Sequence, residues 1–356
     1  MKIIPEYFAS SNSMIGFQSY FDSIYNPKHL EKIYIIKGGP GTGKSSLIKS
    51  VKNKFISRKC EMFLCSSDPG SYDGIIIDNK IAVIDGTSPH STEARFPGVV
   101  EHIIDNGLAI NNTISKYKDI IINLNDKKSK MYKAAYAYLK ASAEIKKECE
   151  KTISSSINTE KIDSAIDRFF KQNFTKRKDY GSVIRLTSGI TPLGIYNTQS
   201  FENLTKKTAL IVNGKGTENM VLSKILEKAK EYGSKTSISY DPLVPYSPNA
   251  LMFTEESLCV VNYHEEIHGE IDYDKYKVFN CERFIDKSAL HENKSKLKFS
   301  AKCQKALLNE AVKYLKEAQT IHKKLEEIYI DNTNFNVTKE NEAVLLERIE
   351  GFISNV

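Results

Sequence analysis

Lys32 to Val51, KIYIIKGGPGTGKSSLIKSV, decides how the chain is read. Ile33, Tyr34, Ile35 and Ile36 form an apolar run of buried-strand type. Behind them Gly38-Gly39-Pro40-Gly41-Thr42-Gly43-Lys44-Ser45 satisfies G-x-x-x-x-G-K-[ST] in full, and a helical pattern follows. Strand, glycine-rich turn and helix is the context in which that motif cradles phosphate. Gly39, Gly41 and Gly43 permit torsions that a Cβ would block, so successive N–H groups can converge on anionic oxygens. The helix N-terminus adds its positive end to the same point. Lys44 supplies a mobile charge for the β/γ-phosphates, and the Ser45 hydroxyl, followed by Ser46, suits Mg²⁺. The stretch predicts a site for a nucleoside triphosphate with Mg²⁺.

Downstream, Met62-Phe63-Leu64-Cys65 reads as a second strand, ending in the polar Ser66-Ser67-Asp68-Pro69-Gly70. Ile75 to Ile77 is a short strand candidate. Ile81-Ala82-Val83-Ile84 is a further strand, closing on Asp85-Gly86-Thr87. An apolar run that ends in aspartate is where a Walker-B carboxylate belongs, so Asp85 is the expected Mg²⁺ partner of Ser45. The alternative is a capping aspartate in a tight turn. Asp68 and His90, both after strand ends, are candidates for orienting a water or serving as acid or base. Ser66 and Thr87 are possible assistants, and Arg95 is the nearest arginine. For Asp68 the competing role is turn formation before Pro69; for His90 it is that of an ordinary loop histidine.

Upstream, ASSNSMIG is turn-like, and Phe17, Tyr20, Phe21 and Ile24 have helical spacing. From Glu101 to about Phe174 the pattern is helical. Ile110–Leu124, Lys128–Ile153 and Ile157–Phe174 are the expected helices, forming an arm or hairpin that leaves the α/β core.

The second half echoes the first. SGITPLG (188–194) matches SSNSMIG (10–16). KTALIVNGKGTENMVLSKI, from Lys207, lies over KIYIIKGGPGTGKSSLIKS, from Lys32, without a gap. Asp241-Pro242 lies over Asp68-Pro69, Asn262 over Asp85, and Tyr138-Leu139-Lys140 over Tyr314-Leu315-Lys316. A tandem duplication follows, with a boundary near 178–186. The expected fold is α/β: two tandem, mainly parallel P-loop-type domains, residues 1–182 with a helical insertion over about 101–175, and residues 183–356 with a helical region over about 286–354. In the second copy Gly43 becomes Glu218, Lys44 becomes Asn219, Ser45 becomes Met220 and Asp85 becomes Asn262. Each phosphate- or metal-binding group is lost, and the Glu218 carboxylate would repel a triphosphate. One active nucleotide site is expected, beside a pseudo-ATPase half.

At 356 residues the chain is long enough for two cores, and 40% hydrophobic with 27% charged residues is globular composition. The net charge of +7 favours a solvated lysine surface over a nucleic-acid patch. Six scattered cysteines without C-x-x-C spacing fit a reducing compartment. Neither a signal-peptide core nor a membrane-length run is present, so a cytoplasmic protein without membrane contact is expected.

The combination KGGPGTGKSSLIK, CSSDPGSYDG and VIDGTSPH resembles a family of duplicated P-loop ATPases of clostridia and related Firmicutes, over essentially the whole chain. The resemblance implies two nucleotide-hydrolase-type domains with ATP as nucleotide, and no particular substrate. Relatives can carry an intact second loop; Glu218, Asn219 and Met220 depart from that. Three functions remain open: an ATPase driving conformational change, a small-molecule kinase using Asp68 as base, and a non-hydrolysing nucleotide-gated scaffold with a protein partner. No acidic residue directly follows Asp85, where many motor ATPases carry their catalytic glutamate.

Overall fold

A computed structural model describes residues 3–354. The first half runs β1 (Glu6–Phe8), β2 (Ser10–Ser13), β3 (Gly16–Ser19), α1 (Phe21–Ile24), β4 (Lys32–Lys37), α2 (Lys44–Lys54), β5 (Cys60–Leu64), β6 (Tyr72–Ile77), β7 (Ile81–Asp85), β8 (Glu101–Asp105), α3 (Lys118–Ser154) and α4 (Thr159–Asn173). The second runs β9 (Gly181–Ile184), β10 (Ser188–Thr191), β11 (Gly194–Asn197), α5 (Ser200–Leu204), β12 (Lys207–Val212), α6 (Glu218–Glu231), β13 (Lys235–Tyr240), β14 (Pro248–Phe253), β15 (Leu258–Asn262), α7 (Glu265–His268), β16 (Lys277–Asn280), α8 (Lys287–Asp331) and α9 (Phe335–Ser354).

Two six-stranded sheets result, ordered β1-β5-β6-β7-β4-β8 and β9-β13-β14-β15-β12-β16. Position by position the second order repeats the first. Each sheet is mixed but mainly parallel: β6 and β14 alone run against their neighbours. The chain is thus α/β, with two P-loop-like sheets and long helices.

Period-two alternation sorts each strand between two layers. Ile33 and Ile35 of β4 point into a central cluster that also holds Leu210 and Val212 of β12, Tyr7, Phe8 and Phe201. Tyr34 and Ile36 point outward, onto Leu47, Ile48 and Val51 of α2. The inner faces of both sheets therefore share one core, while each outer face is covered by helices.

The outer layers are exchanged between the halves. α4 presents Ile162, Ile166, Phe169 and Phe170, a helical i, i+4, i+7, i+8 stripe, to the second sheet, among Val221, Ile225 and Leu251. α9, at the far end of the chain, places Leu345 and Ile349 on the first sheet beside Tyr34, Leu47 and Ile75. The Lys54–Glu350 ion pair and the Asn341 amide, donating to Asn106 Oδ1, lie along the same seam. Contiguity in sequence and packing part company here: the helix that closes each sheet comes from the other half.

α3 and α8 pair antiparallel along their length. Tyr138 stacks on Tyr314 at 5.6 Å, Ser142 Oγ donates to the Gln304 carbonyl, and Lys296 meets Glu148. The arms read from the sequence are therefore packed on each other rather than projecting as hairpins. The expected Ile110–Leu124 and Lys128–Ile153 helices are one helix from Lys118. Residues 112–117 form 3₁₀ turns instead, because Asn111 N–H and Thr113 Oγ1 bond to Asn332 after α8. The helical spacing of Phe17 to Ile24 also misleads. Gly16, at φ 98°, turns a β2–β3 hairpin, and only Phe21–Ile24 is helical. No helix among the described residues is long and apolar enough to cross a membrane.

Candidate functional site

β4 and β7 are adjacent and parallel, with Ile36 level with Asp85, so their carboxyl ends meet beside the glycine loop. Lys44 Nζ lies 3.8 Å from Asp85 Oδ2 and donates to the Gly39 carbonyl at 2.6 Å. Thr42 Oγ1 donates to the same carbonyl at 2.9 Å, and the Asn106 amide holds the Thr42 carbonyl at 3.0 Å. Gly41 and Gly43 sit at φ 68° and 82°, which a side chain would strain. Ser45 Oγ accepts the Tyr72 N–H at 3.0 Å, and Asp85 Oδ1 accepts both the N–H and the hydroxyl of Thr87. Asp85 Oδ2 takes no part in that turn and faces Lys44 instead.

Asp68 lies at the end of β5 as expected. Its oxygens accept from Gly70 N–H, Ser71 Oγ and the Gln319 amide. His90 is buried, with its ring 4.6 Å from Phe21 in stacked geometry. It approaches the site only through Asp73, whose Oδ1 is 4.0 Å from His90 Nε2. Arg95 bridges Asp22 and Glu101, away from Lys44's partners.

Asp73 is the residue the sequence reading missed. It stands on β6, one step beyond the Gly74–Ile84 pair, and so opposite Asp85 on β7. It is 4% exposed, and its Oδ2 has no hydrogen-bond partner. Burial raises its pKa, with the Asp85 charge adding to the rise and His90 and Lys44 opposing it. In the second sheet the equivalent pair is Asn249 and Asn262, where the Asn262 amide N–H donates to Asn249 Oδ1 at 2.9 Å. Asp73 to Asn249 is the same exchange as Asp85 to Asn262, a signal already present in the aligned repeat.

The site is also roofed by the other half. α8 lies on the loop so closely that a Cβ on Gly39 would sit 2.6 Å from the Tyr329 ring, and one on Gly41 2.8 Å from Ile330 and 2.9 Å from the Glu326 carbonyl. One turn earlier His322 is 3.7 Å from Glu326. Burial pushes the Glu326 carboxyl upward, helped by Asp68 and opposed by Lys44. Burial, with Lys128 and Lys44 close by, pushes His322 down to about 4. The relation is reciprocal: α3 lays Glu150 on Gly216 of the second loop, where a Cβ would meet its Cγ at 2.9 Å.

His322 carries a stability consequence. Its folded pKa is below the unfolded value of about 6.5, so the unfolded chain binds more protons between the two. Its contribution is complete above about 6.5 and is lost as pH falls toward about 4. Urea midpoints should therefore fall over that window, and His322→Gln should flatten the slope. An unchanged slope would show that His322 stays uncharged in both states or is solvated in the fold.

For a nucleotide with Mg²⁺ the donor set fits. A glycine loop in which Gly38, Gly39 and Gly41 leave no room for a Cβ stands beside a lysine, a hydroxyl and a carboxylate. No group of three or more His, Cys, Asp and Glu residues among those described is placed to hold a metal ion. A cation at Ser45 and Asp85 would therefore depend on phosphate oxygens as well. The profile of the KAP family P-loop domain matches residues 17–336. No curated protein and no solved structure matches the chain.

Proposed function

The chain belongs to the KAP family of P-loop proteins, whose nucleotide-binding domain spans most of its length, and from that premise we propose that it is a Mg²⁺-dependent ATPase with one active site, in its first half, coupled to movement between two duplicated halves. Bound Mg·ATP supplies the scissile phosphoryl group and the cation that neutralises it. Lys44, which donates to the Gly39 carbonyl, would turn to the phosphates. Ser45 and Asp85 would hold the cation, and Gly38 to Gly43 and Ser46 would line the cradle. Asp73, buried opposite Asp85 and raised in pKa, is positioned to orient the attacking water, with His90 behind it.

The observation that carries the coupling is the contact of α8 with the loop. Glu326 faces Lys44 from the second half, so a triphosphate arriving at Lys44 meets a competing carboxylate. A ligand shifts a conformational equilibrium only through such differential interaction. Nucleotide binding therefore favours arrangements with Glu326 withdrawn, and hydrolysis reverses the bias.

The equal strand orders of the two sheets support duplication. In the second loop Glu218 Oε2 accepts the Gly216 N–H at 2.9 Å, so a carboxylate stands where phosphate would lie. This supports a pseudo-ATPase role for that half. The kinase alternative, with Asp68 as base, is less well supported because Gly70, Ser71 and Gln319 already occupy its oxygens.

Purified chain with Mg·ATP and no acceptor is expected to release phosphate, and amide exchange at residues 319–330 is expected to change on ATP binding. Absence of release, with a labelled product appearing when a small-molecule pool is added, would replace hydrolysis by phosphotransfer. Unchanged exchange in α8 despite ATP binding would remove the coupling.

A further inference from the structure

The second half holds a cavity of about 380 Å³ at the carboxyl ends of β12, β13 and β15 and the amino end of the antiparallel β14, within the range of small-molecule sites. It is the counterpart of the ATP site, but its wall chemistry differs. The phosphate cradle is filled by the chain's own Glu218 carboxylate. The two aspartates of the first site are replaced by Asn249 and Asn262. Anion binding has been given up, yet the space remains open between the sheet and the paired helices α3 and α8.

Charge and hydrogen bonding state what would enter. Lys146 of α3 reaches in and is bonded to Asp241. Burial works against its charge, but Asp241, Glu218 and Glu150 together hold its pKa above the ordinary lysine value. Of the two carboxylates in the lining, Asp241 is paired with Lys146, and Glu218 has no ion-pair partner among the described residues. Burial pushes the nearby Glu150 upward, with Lys146 opposing the rise and Glu218 adding to it. The lining also includes Asn262 Oδ1, an acceptor buried from water and without a donor. Lys305, the other lysine of the lining, lies on an exposed part of α8 and can swing into solvent. An inorganic ion would leave most of this volume empty.

We propose that this cavity is a binding site for a small organic cation bearing a primary ammonium or guanidinium group, with Glu218 as its charge partner and Asn262 Oδ1 as acceptor. The ligand would touch Gln304 of α8, the helix whose other end covers the ATP site. The site goes beyond the ATPase assignment and does not depend on it.

The test is calorimetric titration of the full-length Lys44→Ala chain, in which the first site is silenced, with agmatine and with spermidine; glycerol and ATP serve as neutral and anionic controls. One equivalent of agmatine or spermidine should bind, without binding of either control. Glu218→Gln, whose amide oxygen can still accept the Gly216 N–H, should weaken binding at least tenfold. Asn262→Leu should weaken it as well, and provides the test if Glu218→Gln does not fold by its melting curve. The proposal fails if neither cation binds, if binding is unaltered in both variants, or if it is lost on Lys44→Ala alone, which would place it in the first site. Cation binding together with an absence of phosphate release by the wild-type chain would leave this site standing and remove only the ATPase assignment.

Discussion

Lys44→Ala is expected to lower phosphate release by about 10²–10³-fold or more, the usual cost of removing one preorganised group from developing charge. The structure gives a reason for an effect at the upper end. Lys44 is placed among carboxylates: Asp85 at 3.8 Å, with Asp68 and Glu326 sharing its surroundings. Burial pushes the nearby His322 down to about 4, so it adds no positive charge near neutrality. Without Lys44 the triphosphate would approach these carboxylates with the charge beside Asp85 removed, so both ATP affinity and turnover should fall. Lys44→Arg should not rescue, because a planar guanidinium cannot reproduce a compact ammonium folded onto the Gly39 carbonyl. A coupled phosphate assay and a nucleotide titration, with melting curves as the folding control, measure this. Near-normal turnover in a folded Lys44→Ala chain would show that the phosphate loop is not where hydrolysis occurs.

Leu345→Asp is expected to destroy ATP binding although it lies almost the whole chain away from the loop. Leu345 is fully buried against Ile36, Leu47 and Ile75, where α9 covers the outer face of the first sheet. Leu→Ala at such a site costs about 2–5 kcal/mol. Aspartate adds the burial of a charge, for which this apolar cluster provides no partner. At roughly 2–4 °C per kcal/mol for chains of a few hundred residues, a fall in Tm on the order of 10 °C is expected. The milder Leu345→Ala should lower Tm by less and keep binding. Wild-type melting and ATP affinity in Leu345→Asp would mean that α9 does not close the first sheet.

The two experiments mark the division between what could be read and what could not. The phosphate loop, the strand ending on Asp85 and the decay of both in the second copy are local patterns. Strand alternation, glycine torsions and charge exchange act over a few residues, and the structure has a strand, a turn and a helix over Lys32–Lys54 and a strand closing on Asp85. Asp73 was within reach, since its exchange for Asn249 parallels Asp85 for Asn262. Taken alone, an aspartate before a glycine also fits a turn, so only the comparison of the two copies marks it. The hairpin at Ser10–Ser19 was misjudged because four apolar residues have helical spacing whether or not a helix forms; Gly16 and tertiary pairing decided it.

By itself, then, the sequence determined a nucleotide-binding α/β chain with a complete phosphate-loop motif, and it pointed to an internal repeat whose second loop lacks the lysine and serine. Only the tertiary structure decided that α4 and α9 exchange sheets, that α3 and α8 pair, and that Gln319, His322, Glu326 and Tyr329 stand over a site more than 200 positions upstream. Helical periodicity shows that a face is apolar but not which sheet will bury it, because any apolar surface of suitable shape gains nearly the same free energy per unit area. The choice is made by the joint packing of both halves around one central core, which no single segment encodes.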